Sequence, residues 1–224
     1  MGESLSGEQV KARHLRDLGS DLGPLYHALY TEVVWLHAKW LQYRQLFGHS
    51  AQRIDLLNRV AGHLVRIVQD TLWEDVLLSL ARLTDRPEIG KRPNLTLQRL
   101  SGAISDVRLA QDVGRLVDDV LAKVAFARDW RNRHLAHRDL DLALDRAQPL
   151  EGASRAHVET ALLSIRAVMN RIAHHYWKSE TVYERFFAEG CDAESLLHYL
   201  AAGVRAEERR HGAAPRDPDS HDEA

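Results

Sequence analysis

Apolar residues recur at helical spacing along almost the whole chain, and no stretch longer than a few residues alternates with the period of a strand. Val107, Leu109, Val113, Leu116, Val117, Val120, Leu121, Val124 and Phe126 form one such series. Only 6 prolines and 13 glycines interrupt 224 residues, so little in the chain breaks a helix. A helix with a wide apolar stripe must bury it against other helices. The expected fold is therefore all-α, a bundle of long antiparallel helices with a short C-terminal helix.

The breaks divide the chain further. Gly23-Pro24 precedes a helix starting near Leu25, with Leu29, Val33, Leu36 and Trp40 on its stripe, and Gly48-His49-Ser50 ends it. A second helix carries Ile54, Leu57, Val60, Ala61, Leu64, Ile67 and Val68, then Leu72, Val76, Leu80 and Leu83. It reads either as one very long helix or as two joined near Asp70-Thr71. Two prolines and a glycine make residues 85–94 a loop. A short helix over roughly 95–102 follows, and Ser105-Asp106 is a cap for the next one. Pro149 to Gly152 breaks the chain, Ser154 caps a helix through Ile172, and Asp192 to about Glu208 reads as a last helix. The expected domains are an N-terminal extension over 1–22, a helical domain over 23–208 and a disordered polar tail over 209–224.

The chemistry concentrates in one place. Arg131 to His137 holds Arg131, Asn132, Arg133, His134 and His137 within seven residues of a chain whose net charge is -2. From Lys123 to Arg138 the bases Lys123, Arg128, Arg131, Arg133 and Arg138 face one acid, Asp129. A local cationic patch in a near-neutral protein points to a phosphate partner, and an arginine beside histidines supplies a fixed cation and a proton shuttle. The plainer reading is a solvated basic helix face. On an ideal helix Arg131, His134 and His137 trace one shallow diagonal, while Ala127, Trp130 and Leu135 face the core. His134 and His137 have no acidic partner at ligand spacing, so no metal and no cofactor is expected. The tryptophans mostly fall on apolar stripes and are expected in the core rather than stacked on bases. Arg82 and Asp85 read as a structural ion pair or loop anchor at a helix end, with catalysis the lesser alternative.

Arg131, the polar Asn132 and His137 also match the signature of the HEPN superfamily, an arginine and a polar residue followed by a histidine. A second register, Arg128, Asp129 and His134, has the same spacing. The segment Leu78 to Asp85, the proline-containing loop, Asn94 to Leu97, and Cys191 to Leu197 resemble the HEPN branch of phage abortive-infection proteins of the AbiU type. The resemblance covers most of residues 25 to 205. It implies a HEPN-like helical bundle that dimerises with two Arg/His motifs at the interface. It further implies a metal-independent ribonuclease used as a toxin or antiviral effector, or a module that only binds RNA, nucleotide or a partner protein. A purely structural helical scaffold is the remaining reading.

In the ribonuclease reading the catalytic residues are Arg131, His137, Asn132 and His134, and Arg128, Arg133 and Arg138 hold RNA. Alanine at Arg131 or His137 is then expected to abolish cleavage with little change in melting, because both groups are polar and face a groove. RNA is the expected partner, with a second copy of the chain and an antitoxin or regulator protein. No apolar run approaches the length of a membrane span and the N-terminus has no signal-like apolar stretch. One cysteine, Cys191, gives no internal disulfide. The expected location is cytoplasmic, away from membranes.

Overall fold

The computed structural model describes residues 6–48, 50–135, 140–144, 146–147, 150, 152–184 and 190–212. Among them α1 spans Gly7–Phe47 and α2 Ala51–Leu83. A minimal hairpin pairs β1, Glu88–Ile89, with β2, Arg92–Pro93. A 3-10 turn, Leu97–Arg99, leads into α3, Leu100–Ala103. Then come α4 (Val107–Lys123), α5 (Ala125–Trp130), a π-helical turn (Arg131–Leu135), α6 (Leu140–Ala143), α7 (Arg155–Trp177) and α8 (Ala193–Gly212). The protein is an all-α bundle, as the periodicity predicts. Its residues pack as two compact units, one from Met1–Leu41 with Thr71–Phe186, the other from Gln42–Asp70 with Phe187–Ala224.

In the first unit, helix begins well ahead of Leu25. Ser6 accepts the Gln9 amide at 3.3 Å while Gln9 Oε1 accepts the Ser6 amide at 2.7 Å. This reciprocal cap is readable in the sequence as Ser-Gly-Glu-Gln. The 41 residues of α1 are not one rod. At Gly19 the backbone takes φ 78 and ψ -175, a conformation that only glycine enters cheaply. The chain turns back there: His14 Nδ1 and His27 Nδ1 lie 3.2 Å apart, whereas 13 residues of straight helix would separate them by about 20 Å. A Cβ on Gly23 would stand 2.9 Å from the His14 carbonyl oxygen, so the returning arm rests directly on glycine. The arm is anchored by aromatic contact. The His14 ring packs against Tyr26, Tyr30 and Trp177, Arg13 lies over the Trp177 ring, and Trp177 Nε1 donates to Asp17 at 2.8 Å.

The centre of this unit is the α4–α7 pair. Asp106 and Ser154 cap them, as the sequence predicts, accepting from the Leu109 and His157 amides. Leu109, Val113 and Val120 from α4 are fully buried with Val158, Ile165, Val168 and Ile172 from α7. Asp112 near the start of α4 pairs with Arg171 near the end of α7, and Phe126 meets His157 at the start of α7. The helices are therefore antiparallel. Around them sit Leu29, Val33 and Leu36 from α1 and Val76, Leu77 and Leu80 from α2. Trp40 is buried, but Trp35 is 60% exposed, a departure from the core placement expected of the tryptophans.

The second unit joins the end of α1, the first part of α2 and α8. Arg53 donates to both carboxylate oxygens of Glu194 and to the Gln45 carbonyl, and Asp192 caps α8 while accepting from Gln45 at 2.8 Å. Helix α2 departs from helical geometry at Ala61, not near Asp70-Thr71. Val60, Leu64 and Ile67, expected on the buried stripe, are 42%, 61% and 63% exposed. This stripe is wider than the face that the unit's other helices cover. Val60 and Leu64 line an apolar groove of about 250 Å³ with Phe47, Leu57 and Leu196. Helix α8 continues to Gly212, and residues 213–224 lie outside the described residues.

Candidate functional site

Two stretches distant in sequence meet at the candidate site, and each is held by its own backbone hydrogen bonds. The first is the end of α2. Its last carbonyls are satisfied by side chains: Thr84 Oγ1 donates to Leu80 O at 3.0 Å, and Thr96 Oγ1 to Leu83 O at 3.0 Å. Gln98 Nε2 donates to the Thr84 and Asp85 carbonyls at 3.1 and 2.8 Å. These contacts fix the backbone of Asp85. The loop beyond is closed by Asn94, whose amide donates to Pro87 O and whose side chain donates to Arg86 O. Arg99 clamps the closure by donating to the Asn94 and Pro87 carbonyls.

The second stretch leaves α4 through Val124, where φ -98 and ψ 3 break the helix. Arg128 reaches back to donate to the Leu121 carbonyl at 2.7 Å, satisfying an acceptor freed at that break. Phe126 and Ala127 anchor α5 in the core at 3% and 0% exposure. The chain then enters the π-helical turn, with i→i+5 bonding. The regular α-helical spacing drawn from Arg131 to His134 therefore does not carry over.

Arg131 NH1 forms an ion pair with Asp85 Oδ1 across these two stretches, and Arg131 Nε donates to Asn132 Oδ1 at 3.0 Å. The pair is partly buried, with the side chains 22% and 17% exposed. Arg133 pairs with Asp129 at 3.5 Å, and the His134 ring meets Trp130 edge-on at 5.5 Å. The structure thus brings Arg131 and Asn132 together with Asp85. Ala136, His137, Arg138 and Asp139 lie outside the described residues.

Of the two readings of Arg82 and Asp85, ion pair or loop anchor, the ion pair between them is not formed, because the Asp85 carboxylate turns to Arg131. The pairing argues against the expectation that alanine at Arg131 would leave stability nearly unchanged, since truncation would leave a partly buried carboxylate without its cation. Beside the pair lies a cleft of about 320 Å³ lined by Glu32, Arg82, Leu83, Asp85, Asn94 and Leu95. Glu32 has no signal in the sequence. It is one acid on a helix face, and only the packing of α1 near the end of α2 places it here.

Among the described residues, no three His, Cys, Asp or Glu side chains cluster as metal ligands. No helix there is long and apolar enough to cross a membrane. Cys191 is exposed. No curated protein and no solved structure matches the chain. The AbiU2 family model of the HEPN superfamily matches residues 19–190, a span that includes Asp85, Arg131 and both sides of the cleft. The chain therefore belongs to the HEPN AbiU2 family.

Proposed function

We propose that this protein is an abortive-infection effector that cleaves RNA as a metal-independent endoribonuclease through Arg131, Asn132 and His137, with His134 alongside. The observation that carries this reading is the state of Arg131. Asp85 and Asn132 each engage one N–H of its guanidinium, which leaves three of five for a phosphate. A guanidinium held this way loses little freedom when it grips phosphate oxygens.

RNA brings its own nucleophile, the 2′-hydroxyl. A base removes that proton, the 2′-oxygen attacks phosphorus, and the 5′-oxygen leaves with a proton from an acid. The products are a 2′,3′-cyclic phosphate and a 5′-hydroxyl. His137 is the proton-transfer group in this scheme, and Arg131 offsets the charge gained at phosphorus. One His137 per chain serves as base or acid but not both at once, so the scheme works in a homodimer that brings two motifs together. Arg128, Arg133 and Arg138 are the candidates for further RNA contact. Arg128 and Arg133 already hold Leu121 O and Asp129, so they are weaker candidates than Arg131. An RNA target sets the site of action in the cytoplasm, and a toxin of this kind acts under an antitoxin or regulator protein.

The Asp85 carboxylate also favours a second reading. It offsets part of the Arg131 charge that would stabilise the extra negative charge gained at phosphorus during cleavage, which suits a HEPN module that binds RNA, nucleotide or a partner protein without cutting. The test is purified protein with total RNA, with and without EDTA, followed by an oligonucleotide carrying a single 2′-deoxy at the cut position. The ribonuclease reading expects cutting in EDTA, resistance of the deoxy substrate, and loss of cutting in His137→Ala and Arg131→Lys. Lysine keeps the charge for Asp85 while removing the fork. Binding without cutting establishes the second reading instead.

A further inference from the structure

The cleft beside Arg131 has an unusual set of chemical groups for a protein whose partner is a polyanion. Glu32 and Asp85 place two carboxylates on its walls, which repel a phosphate. The Arg82 side chain lies there with no hydrogen bond or ion pair to another described residue. Glu32 is equally unengaged, and Asp85 uses only one carboxylate oxygen on Arg131. Leu95, 41% exposed, supplies apolar surface at the rim, and the buried Leu83 closes the floor. The volume of about 320 Å³ sits at the small end of ligand sites, suited to a single ring system rather than an extended chain.

These groups match one neutral partner better than the others. A nucleobase offers an apolar face and a hydrogen-bonding edge. Guanine carries adjacent donors, N1–H and the N2 amino group, that suit a carboxylate, and adjacent acceptors, O6 and N7, that suit an arginine fork. Cytosine lacks the adjacent donors, and adenine and uracil lack both adjacent pairs on their reading edges. Because Asp85 lines the cleft and also pairs with Arg131, a base lodged there belongs to a nucleotide next to the phosphate at Arg131. We propose that the cleft between Glu32 and Arg82 is a guanine subsite that sets which phosphate of an RNA reaches Arg131. The proposal rests on the ribonuclease reading for its role in cleavage, but not for binding of the base itself.

The test titrates the full-length protein with the 5′-monophosphates of guanosine, adenosine, cytidine and uridine by calorimetry. The phosphate is common to all four, so differences report the base. GMP is expected to bind about tenfold more tightly than the others or better. Glu32→Gln and Arg82→Gln should each bring GMP down to the level of the rest, with the dichroism spectrum unchanged because neither side chain holds another part of the fold. Equal binding of all four nucleotides, or GMP preference surviving both substitutions, overturns the subsite. Sequencing the ends of cut RNA separates the two proposals. RNA cut without regard to guanine, by a protein that does not prefer GMP, overturns the subsite and keeps the ribonuclease. GMP preference that depends on Glu32 and Arg82 in a protein that cuts nothing upholds the subsite and overturns the ribonuclease.

Discussion

Asp85 and Arg131 stand 46 positions apart and form an ion pair that ties the end of α2 to the π-helical turn. Each partner is placed by its surroundings, Asp85 by Gln98 and by the Thr84 and Thr96 hydroxyls on the Leu80 and Leu83 carbonyls, Arg131 by the buried Phe126 and Ala127 of α5. The site is therefore built across two segments, and neither could hold the guanidinium alone.

A double-mutant cycle measures this coupling. Asp85→Ala and Arg131→Ala each remove one partner from a partly buried pair and should each cost about 1–3 kcal/mol in urea unfolding. The double variant should cost less than the sum by more than about 0.5 kcal/mol. Additive losses would show that the two residues do not depend on each other.

The hairpin of α1 depends on two glycines for different reasons. Gly19→Ala forces a side chain into a positive-φ conformation and should destabilise by about 1–3 kcal/mol. Gly23→Ala sets a Cβ against the His14 and Leu15 backbone, with no flexible side chain to give way, and should cost a similar amount. Melting temperatures compared with Gly102→Ala, where a Cβ meets nothing within 4 Å, check both.

Acid should loosen the same arm. Burial, then the neighbouring His27 and Arg13, lower the His14 pKa from 6.5 to about 4, with Asp17 opposing. Burial and Lys11 also lower His27. A histidine with a depressed folded pKa takes its proton first in the unfolded chain. Its contribution to stability is whole above about pH 6.5 and falls as pH drops towards 4. Allowing for partial solvent screening, the loss is about 2 kcal/mol. Urea unfolding at pH 7 and pH 4.5 should show that the His14→Phe protein loses less stability on acidification than the parent. Equal losses in both would remove His14 from the account.

His134 should prove secondary to His137. Its ring leans on Trp130, so His134→Ala is expected to lower RNA cleavage less than tenfold, where His137→Ala abolishes it. Single-turnover rates on one RNA substrate decide the order. A deeper loss at His134 would move the proton-transfer role to it.

Local chemistry made much of this molecule legible from sequence. The stripes of α4 and α7 name their own buried faces because a period of 3.6 leaves one solution for Leu109, Val113 and Val120, and Asp106 and Ser154 announce their helix starts by the orphan amides they accept. The Arg131–Asn132 motif and the family are legible for the same reason, as residue types at close spacing. What stayed hidden depends on chain reversals and long-range contacts. The fold-back at Gly19 is invisible because glycine in a helical pattern does not say whether it will be used. The exposure of Leu64 and Ile67 depends on how much of α2 the neighbouring helices cover, not on α2 itself. The partner of Asp85 was decided by tertiary packing. Sequence proximity pointed to Arg82, three positions away, but the backbone at Asp85 is fixed by Gln98 and aims the carboxylate at Arg131. An ion pair forms with the cation that packing delivers, and here that cation comes from a segment 46 residues further along the chain.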